Sequence, residues 1–309
     1  MVLNNKYLKF LSLVVCIFFY FYFLSKIEYE NILSLKFDPI LYITPIILIS
    51  FIATFLRYIR WKIILSIFGR KIKETEKIKI FLVGLSLNFT PANVGENIRA
   101  LYLKKFNISF KNSLLIFIIS KFSDFIAIFI LCLLLGAYLL RINTLNYVIP
   151  IEMIIKISMF TFVIIILLFV FFKKKINKEK YNISRYIKEK IPYLTSNTVY
   201  KSISLTFFIW IIDFLCITKS LDYFNIEYDV LILFYFFILA IMVGAISFMP
   251  GSLGSFEFIL MLLLSSYYEN INHLIIPIYS GRIISVLTPI LIGGLSFLFF
   301  KIQKRRANK

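Results

Sequence analysis

Charged side chains interrupt the long apolar runs of this 309-residue sequence, and they are its clearest candidates for chemistry. Lys121 and Asp124 are three residues apart, so they share one face of a helix. Glu257 and Arg282 lie in runs that contain no residue of opposite charge. An unpaired charge is costly to bury among apolar side chains. These residue types favour binding of a charged molecule, and arginine suits phosphate because its planar fork donates two hydrogen bonds at once.

Polar and turn-forming residues add to this candidate site. Glu96 and Arg99 are also three residues apart, and they follow a polar stretch that contains Asn88, Pro91 and Gly95. Proline removes a backbone donor and glycine frees the backbone, so unpaired amides at such a break can face an anion. The remaining members of the predicted site are Arg57 and Arg60, at the end of an apolar run, and Pro250, Gly251 and Gly254, just before Glu257.

The sequence contains no motif that predicts catalysis. It has no G-x-x-x-x-G-K-[ST], no H-E-x-x-H and no G-x-S-x-G, and it has a single histidine. Cys16, Cys132 and Cys216 are isolated in apolar stretches, where cysteine behaves as a small hydrophobic residue. We therefore expect a protein that is not an enzyme, with no catalytic residue, no metal site and no cofactor.

The elements that position the charged residues are predicted to be membrane-spanning helices. Hydrophobic residues make up 60% of the sequence, against about 45–50% in soluble domains. A spanning helix needs about 20 predominantly apolar residues. Runs of sufficient length are the candidate spans, at about 7–25, 39–56, 113–140, 149–172, 201–221, 230–248 and 274–300, and two weaker stretches lie at 78–98 and 251–266.

The basic residues predict the orientation of the chain. Lys and Arg number 35 against 16 Asp and Glu, a net charge of +19. Of the 35, 27 lie near the N-terminus, in 57–79, 99–111 and 173–190, or in the tail after residue 300. The positive-inside rule places these segments and both termini in the cytoplasm. Topology in a cell membrane thus accounts for the charge, and we expect no nucleic-acid partner.

Two weaker apolar stretches are predicted to enter and leave the membrane on one side. Both neighbours of 78–98 are basic, so this stretch returns to the cytoplasmic face, with its polar middle shielded from lipid. The stretches 230–248 and 251–266 form a similar pair on the external side. The predicted fold is an all-α polytopic membrane protein with about six full spans and two re-entrant or broken helical hairpins.

The turns of the two hairpins have similar sequences at a constant offset of 159 residues. Residues 88–95 are N-F-T-P-A-N-V-G, and residues 247–254 are S-F-M-P-G-S-L-G. Inverted repeats whose broken helices meet near the midplane form the substrate sites of many transporters. Two interpretations are open within a single membrane domain, 1–309: chance reuse of turn residues, or an inverted repeat with halves of about 39–140 and 201–300 and a basic linker at 173–200.

The charged residues also have structural interpretations. Asp213, in the middle of an apolar run, is expected to pair with a neighbouring helix. Interfaces between membrane and water are rich in arginine and tryptophan, which suggests an anchor near Trp61. The structural alternatives are an interfacial anchor for Arg57 and Arg60, self-neutralisation for Lys121 and Asp124, and hairpin capping for Glu96 and Arg99.

These motifs together resemble the lysylphosphatidylglycerol synthase transmembrane-region family, also called flippase-like membrane proteins. The likeness extends over about residues 10–300. One departure lies at Ser120, where an acidic residue is expected before the basic residue. The motifs that carry the resemblance are L-R-Y-I-R-W-K at 56–62, N-x-x-P-x-x-x-G-E-x-x-R at 88–99, P-G-S-L-G-x-x-E at 250–257, and Arg282 followed by Pro289, Gly293 and Gly294.

The resemblance implies a translocator that moves an anionic phospholipid or a polyprenyl-phosphate-linked lipid between leaflets. Some members of the family are fused to an aminoacyl-transferase domain, and others accompany glycosyltransferases. The expected partners are therefore membrane lipids and a lipid-modifying enzyme or glycosyltransferase. Two alternatives stay open. One is a non-catalytic scaffold for a glycosyltransferase. The other is an intramembrane transferase that uses a lipid-phosphate donor, with Glu96, Asp124 and Glu257 as its carboxylate base or as ligands of a divalent cation.

Overall fold

Every regular element in the described part of the chain is helical. The structure is a computed structural model, and it describes residues 38–68, 71–88, 90, 94–141, 197–246, 251–268 and 271–307. Within them lie eight α-helices: α1 (Pro39–Leu65), α2 (Glu74–Leu85), α3 (Arg99–Leu103), α4 (Phe110–Arg141), α5 (Asn197–Tyr223), α6 (Val230–Ile246), α7 (Ser255–Leu264) and α8 (Asn272–Ala307).

Four of these helices, α1, α4, α5 and α8, are long and apolar enough to cross a membrane. They coincide with four of the predicted spans, and the prediction of an all-α membrane protein is confirmed. Each helix is longer than its apolar run, and α8 continues to Ala307. Hydropathy marks only the part of a helix that lies in hydrocarbon, whereas backbone hydrogen bonds extend it further. The predicted spans 7–25 and 149–172 lie outside the described residues.

The first hairpin consists of α2, a turn, the 3-10 helix Val94–Ile98 and α3. With 12 residues, α2 is too short to span a bilayer. The turn is tight: the Gly95 amide donates to Thr90 Oγ1 at 2.6 Å, and a side chain at Gly95 would overlap the Leu87 carbonyl oxygen. Pro91, which the sequence places at this break, lies outside the described residues.

The second hairpin consists of α6 and α7, which pack against each other. The turn between them contains Gly251, Ser252 and Gly254, all with positive φ. Glycine adopts such angles at little cost, so the sequence at this break fits its backbone. Pro250 lies outside the described residues.

The long helices pack around α5, which contacts α1, α4 and α8. The second hairpin packs on α4 through α6, and α8 packs on α2 of the first hairpin. The approach of α8 to α2 is close, because a Cβ at Gly293 would lie 2.7 Å from the Leu82 carbonyl oxygen. Each hairpin is therefore held by a long helix from the other half of the chain.

The helices of 39–141 have counterparts 159 residues later. Shifting α1 by 159 residues gives 198–224, and α5 covers Asn197–Tyr223. With the same shift, the starts of α2, α3 and α4 fall within three residues of the starts of α6, α7 and α8. The order of span, hairpin and span thus occurs twice at the offset that the turn sequences predicted. That the halves form an inverted repeat stays a prediction.

Candidate functional site

A cavity of about 490 Å³ lies between the two hairpins and the long helices. Asn88, Glu96 and Arg99 reach it from the first hairpin, and Gly251 and Phe256 reach it from the second. Its volume is typical of pockets for small molecules. Nine residues of the site predicted from sequence line it: Arg57, Arg60, Asn88, Glu96, Arg99, Lys121, Asp124, Gly251 and Arg282.

Three more of the predicted residues are described but do not line the cavity, namely Gly95, Gly254 and Glu257. The two glycines shape the turns. Glu257 is adjacent in sequence to Phe256, which does line the cavity.

The two arginines of α1 reach acids on other helices. Arg57 is paired with Asp213 of α5, and Arg60 is paired with Asp124 of α4. Arg60 is only 7% exposed, and it also donates to Thr206 Oγ1 at 3.0 Å. Because the two arginines are three residues apart, one face of α1 presents both to the cavity. Both arginines thus have partners within the protein, and the interfacial-anchor interpretation stays a prediction.

Lys121 has no ion pair within the described residues. Its expected partner, Asp124, is bound to Arg60 instead, through a short hydrogen bond and a second one of 3.4 Å to Oδ2. The Lys121 ammonium lies 5.5 Å from the centroid of the Phe117 ring. The self-neutralising alternative for Lys121 and Asp124 is therefore not the arrangement in the structure, which leaves the lysine charge facing the cavity.

In the first hairpin, Arg99 is firmly held. It donates to Glu96 at 2.9 Å and to the Phe81 carbonyl oxygen at 3.4 Å. Its guanidinium lies 4.5 Å from the centroid of the Phe81 ring, a cation–π contact. It also fills the space beside Gly84, where any side chain would overlap it. These contacts fit the hairpin-capping interpretation of the Glu96–Arg99 pair.

The charges of the second hairpin are satisfied less well. Glu257 is 1% exposed, and its Oε2 accepts from the Gly254 amide at 2.6 Å, while its Oε1 has no hydrogen-bond partner within the described residues. Arg282 of α8 lies with its guanidinium 4.5 Å from the centroid of the Phe256 ring. The buried Nε of Arg282 likewise has no hydrogen-bond partner there, and no described carboxylate forms an ion pair with it.

The lining of the cavity carries an excess of positive charge. Five of its described residues are basic and three are acidic, and the three acids are those already paired with Arg57, Arg60 and Arg99. Lys121 and Arg282 supply the two uncompensated charges, meaning cations that form no ion pair among the described residues. An unpaired cation is expensive in a low-dielectric interior, so the arrangement suits a ligand that brings negative charge.

The sequence interpretation did not place Asp213 and Trp210 in the site. Both line the cavity from α5, and the buried Nε1 of Trp210 has no hydrogen-bond partner within the described residues. Asp213 showed the same signal as the other candidates, a charge in an apolar run, but the sequence assigned it only a pairing role. Trp210 lies three residues earlier on the same helical face, which is the signal that was available.

The described residues include no cluster of three or more His, Cys, Asp or Glu side chains that could hold a metal ion. Cys132 and Cys216 are buried free thiols.

The sequence profile of the family described as "Lysylphosphatidylglycerol synthase TM region" matches residues 8–293. No curated protein sequence and no solved structure matches the chain.

Proposed function

Since the chain belongs to the lysylphosphatidylglycerol synthase transmembrane-region family, as its motifs indicated, we propose that it moves an anionic lipid between the leaflets of the membrane. Membership makes it a membrane protein related to lipid synthesis or flipping. The observation that carries the proposal is the cavity between the two hairpins, with its two uncompensated cations. A cell membrane location with both termini in the cytoplasm completes the proposal.

Lys121 and Arg282 are the groups proposed to contact the lipid phosphate. They come from α4 and α8, so the phosphate is held between two long helices of different halves of the chain. Arg57, Arg60 and Arg99 already have acidic partners, so their charges are balanced without the ligand. Trp210 Nε1, which has no partner among the described residues, is a further donor for a phosphate or hydroxyl oxygen.

The size of the cavity limits what it holds. About 490 Å³ accommodates a polar head group, and the acyl or prenyl chains stay in the surrounding lipid. The main barrier to translocation is the transfer of a charged head group through hydrocarbon. A head group that stays in the polar cavity while its chains stay in lipid avoids this barrier.

The hairpins are proposed to act as two gates. They are broken segments with glycine at their turns, and we infer that they enter from opposite faces of the membrane as the halves of an inverted repeat. Movement of one repeat against the other then opens the cavity to one leaflet at a time, as in other transporters built this way. A lipid-modifying enzyme that produces or consumes the anionic lipid is the proposed partner.

Reconstitution tests the proposal. Purified protein is placed in liposomes with a trace of fluorescent phosphatidylglycerol, and a membrane-impermeant reductant is added outside. In empty liposomes only the outer-leaflet fluorescence is lost, whereas proteoliposomes should lose nearly all of it. A fluorescent phosphatidylcholine, whose head group carries no net charge, should be protected more. Equal protection in empty and protein-containing liposomes, for phosphatidylglycerol and for a polyprenyl phosphate, would favour the scaffold or transferase alternatives.

A matched pair of variants ties this activity to the cavity. Lys121→Gln removes an uncompensated charge from the cavity, and Arg141→Gln removes a charge from an exposed position on the same helix. K121Q should slow the loss of protected fluorescence at least tenfold, while R141Q should behave like the wild type. Equal rates of fluorescence loss for the two variants would show that the lipid head group does not pass through this cavity.

A further inference from the structure

Glu257 is a buried acid, and the binding of an anion in the cavity does not by itself require a negative charge at this position. One of its carboxylate oxygens caps α7 by accepting from the Gly254 amide, and a glutamine would serve that purpose as well. The other oxygen, Oε1, is buried and has no hydrogen-bond partner within the described residues. A capping role thus accounts for half of this carboxylate and leaves the charge unexplained.

Among the residues that the structure describes, few charged or titratable groups surround Glu257. The described helices that pack against α7 are α6 and α8. From α8, Arg282 and Tyr279 interact electrostatically with Glu257. From α6, the sequence between Val230 and Ile246 offers only Tyr235, and that hydroxyl lies beside Cys132 of α4 instead. Arg282 is therefore the one described cation that faces Glu257.

The positive charge of Arg282 is shared between Glu257 and the cavity. Arg282 lines the cavity, and its guanidinium covers the ring of Phe256, the residue next to Glu257. The two groups do not form an ion pair, but Arg282 attracts the Glu257 carboxylate through space. Burial disfavours the ionised form of a carboxylate and a nearby cation favours it, so an anion that enters the cavity and binds Arg282 weakens the attraction that favours the ionised form of Glu257.

We propose that Glu257 is a proton-binding site, and that an anion bound at Arg282 is accompanied by one proton on Glu257. The inference rests on the proposed anion site and adds its coupling ion. The proton comes from water and adds to Oε1, so the occupied site gains no net charge from a singly charged phosphate diester. Oε2 keeps its hydrogen bond with the Gly254 amide.

Such coupling has two measurable consequences. Linkage is reciprocal, so an anion that promotes protonation binds more tightly at lower pH, by at most about tenfold per pH unit for one proton. A pH difference across the membrane also biases transport, because the lipid moves with the proton toward the less acidic side. The coupling thus supplies an energy source to a chain in which the sequence shows no nucleotide-binding motif.

Infrared difference spectroscopy on the full-length protein in detergent tests this inference. The probes are dihexanoyl phosphatidylglycerol and inorganic phosphate, which distinguish a lipid head group from free phosphate, with dihexanoyl phosphatidylcholine as the control. Addition of the phosphatidylglycerol should produce the carbonyl band of a protonated carboxyl group. That band should shift with ¹³C-labelled glutamate and be missing in Glu257→Gln. Inorganic phosphate should produce it if free phosphate alone fills the site.

A second arm separates the coupling from the anion site. Arg282→Gln should show the same band with no probe present, because the facing cation is gone, while Arg282→Lys should not. A spectrum that is identical in the wild type, R282Q and E257Q overturns the proton site, whatever the transport assay shows. A band that responds to R282Q but to neither phosphate probe also overturns the coupling, and it counts against the proposed function as well. The wild-type arm does not depend on the folding of R282Q.

Discussion

The two hairpins differ in how they treat their charges. In the first, Glu96 and Arg99 form a pair of 2.9 Å, and Arg99 is further held by the Phe81 carbonyl oxygen and ring. In the second, Glu257 forms no ion pair within the described residues, and the facing cation, Arg282, has a buried Nε without a partner. The first hairpin contains an ion pair of its own, whereas the second forms none within the described residues. The buried Nε of Arg99, like that of Arg282, has no hydrogen-bond partner there.

This contrast indicates a structural role for the first hairpin and a functional role for the second. A buried ion pair fixes a conformation, because separating its members leaves a buried charge unpaired, so the first hairpin resembles a scaffold. Unpaired buried charges are retained at a cost, and functional sites are where such costs are found. We therefore expect changes in the second region to remove function without loss of fold, and changes in the first to remove fold.

Replacing Arg282 should have the largest effect on function. Arg282→Gln removes an uncompensated cation, and we expect lipid transfer to fall to the level of empty liposomes. Since no ion pair is broken within the described residues, the variant should elute from gel filtration as the wild type does. Glu257→Ala is expected to behave in the same way. Aggregation of both variants would show that the second hairpin is needed for folding, and its role would then not differ from that of the first.

Replacing Glu96 should have the largest effect on stability. Glu96→Gln leaves the buried Arg99 without its acid, and removing one partner of a buried pair costs about 3 kcal/mol or more. The midpoint of thermal unfolding in detergent should fall clearly. The double variant Glu96→Gln, Arg99→Gln should recover part of the loss, because the unpaired cation is removed too. A double variant less stable than either single variant would contradict this account.

Replacing a glycine in either turn by alanine should lower stability less than Glu96→Gln does. The losses at the two turns should be similar in size, but their physical causes differ. Gly95→Ala places a methyl group against the Leu87 carbonyl oxygen, and overpacking of this kind costs about 1–3 kcal/mol. Gly254→Ala forces a residue with a Cβ to a φ of 86°, at about 1–2 kcal/mol. Gly294→Ala is the control, since a Cβ there meets nothing within 4 Å. Equal melting temperatures for all three variants would contradict these assignments.

The smallest effect is expected at Glu74, the first residue of α2. Hydrogen bonds from Tyr58, Lys62 and Lys77 lower the pKa of this exposed carboxyl group to about 2. Since that pKa lies below the ordinary value of 4.5, the contribution to stability is full above about pH 4.5 and is lost as the pH falls toward 2. Glu74→Gln should cost less than about 1 kcal/mol at pH 7 and much less at pH 2. A loss that is independent of pH would contradict this.

The sequence predicted the helices well and the contacts between them poorly. Apolar length located α1, α4, α5 and α8, and the Pro and Gly residues located both hairpins, because these signals are local. Helical spacing showed that Lys121 and Asp124 share a face, but Asp124 binds Arg60, which is 64 residues away. Residue spacing shows which residues share one face of a helix. It does not show which charged residue of another helix packs against that face.

Photolabelling of the cavity tests the central claim most directly. A phosphatidylglycerol with a photoreactive group on its glycerol head is incorporated into proteoliposomes, irradiated, and located on the protein by mass spectrometry. We predict labels on Trp210 and Phe256, inside the cavity, that are reduced by an excess of unlabelled phosphatidylglycerol and missing in Arg282→Gln. Labels confined to the exposed apolar residues of α1, such as Phe51 and Phe55, would contradict the claim that the head group passes between the hairpins.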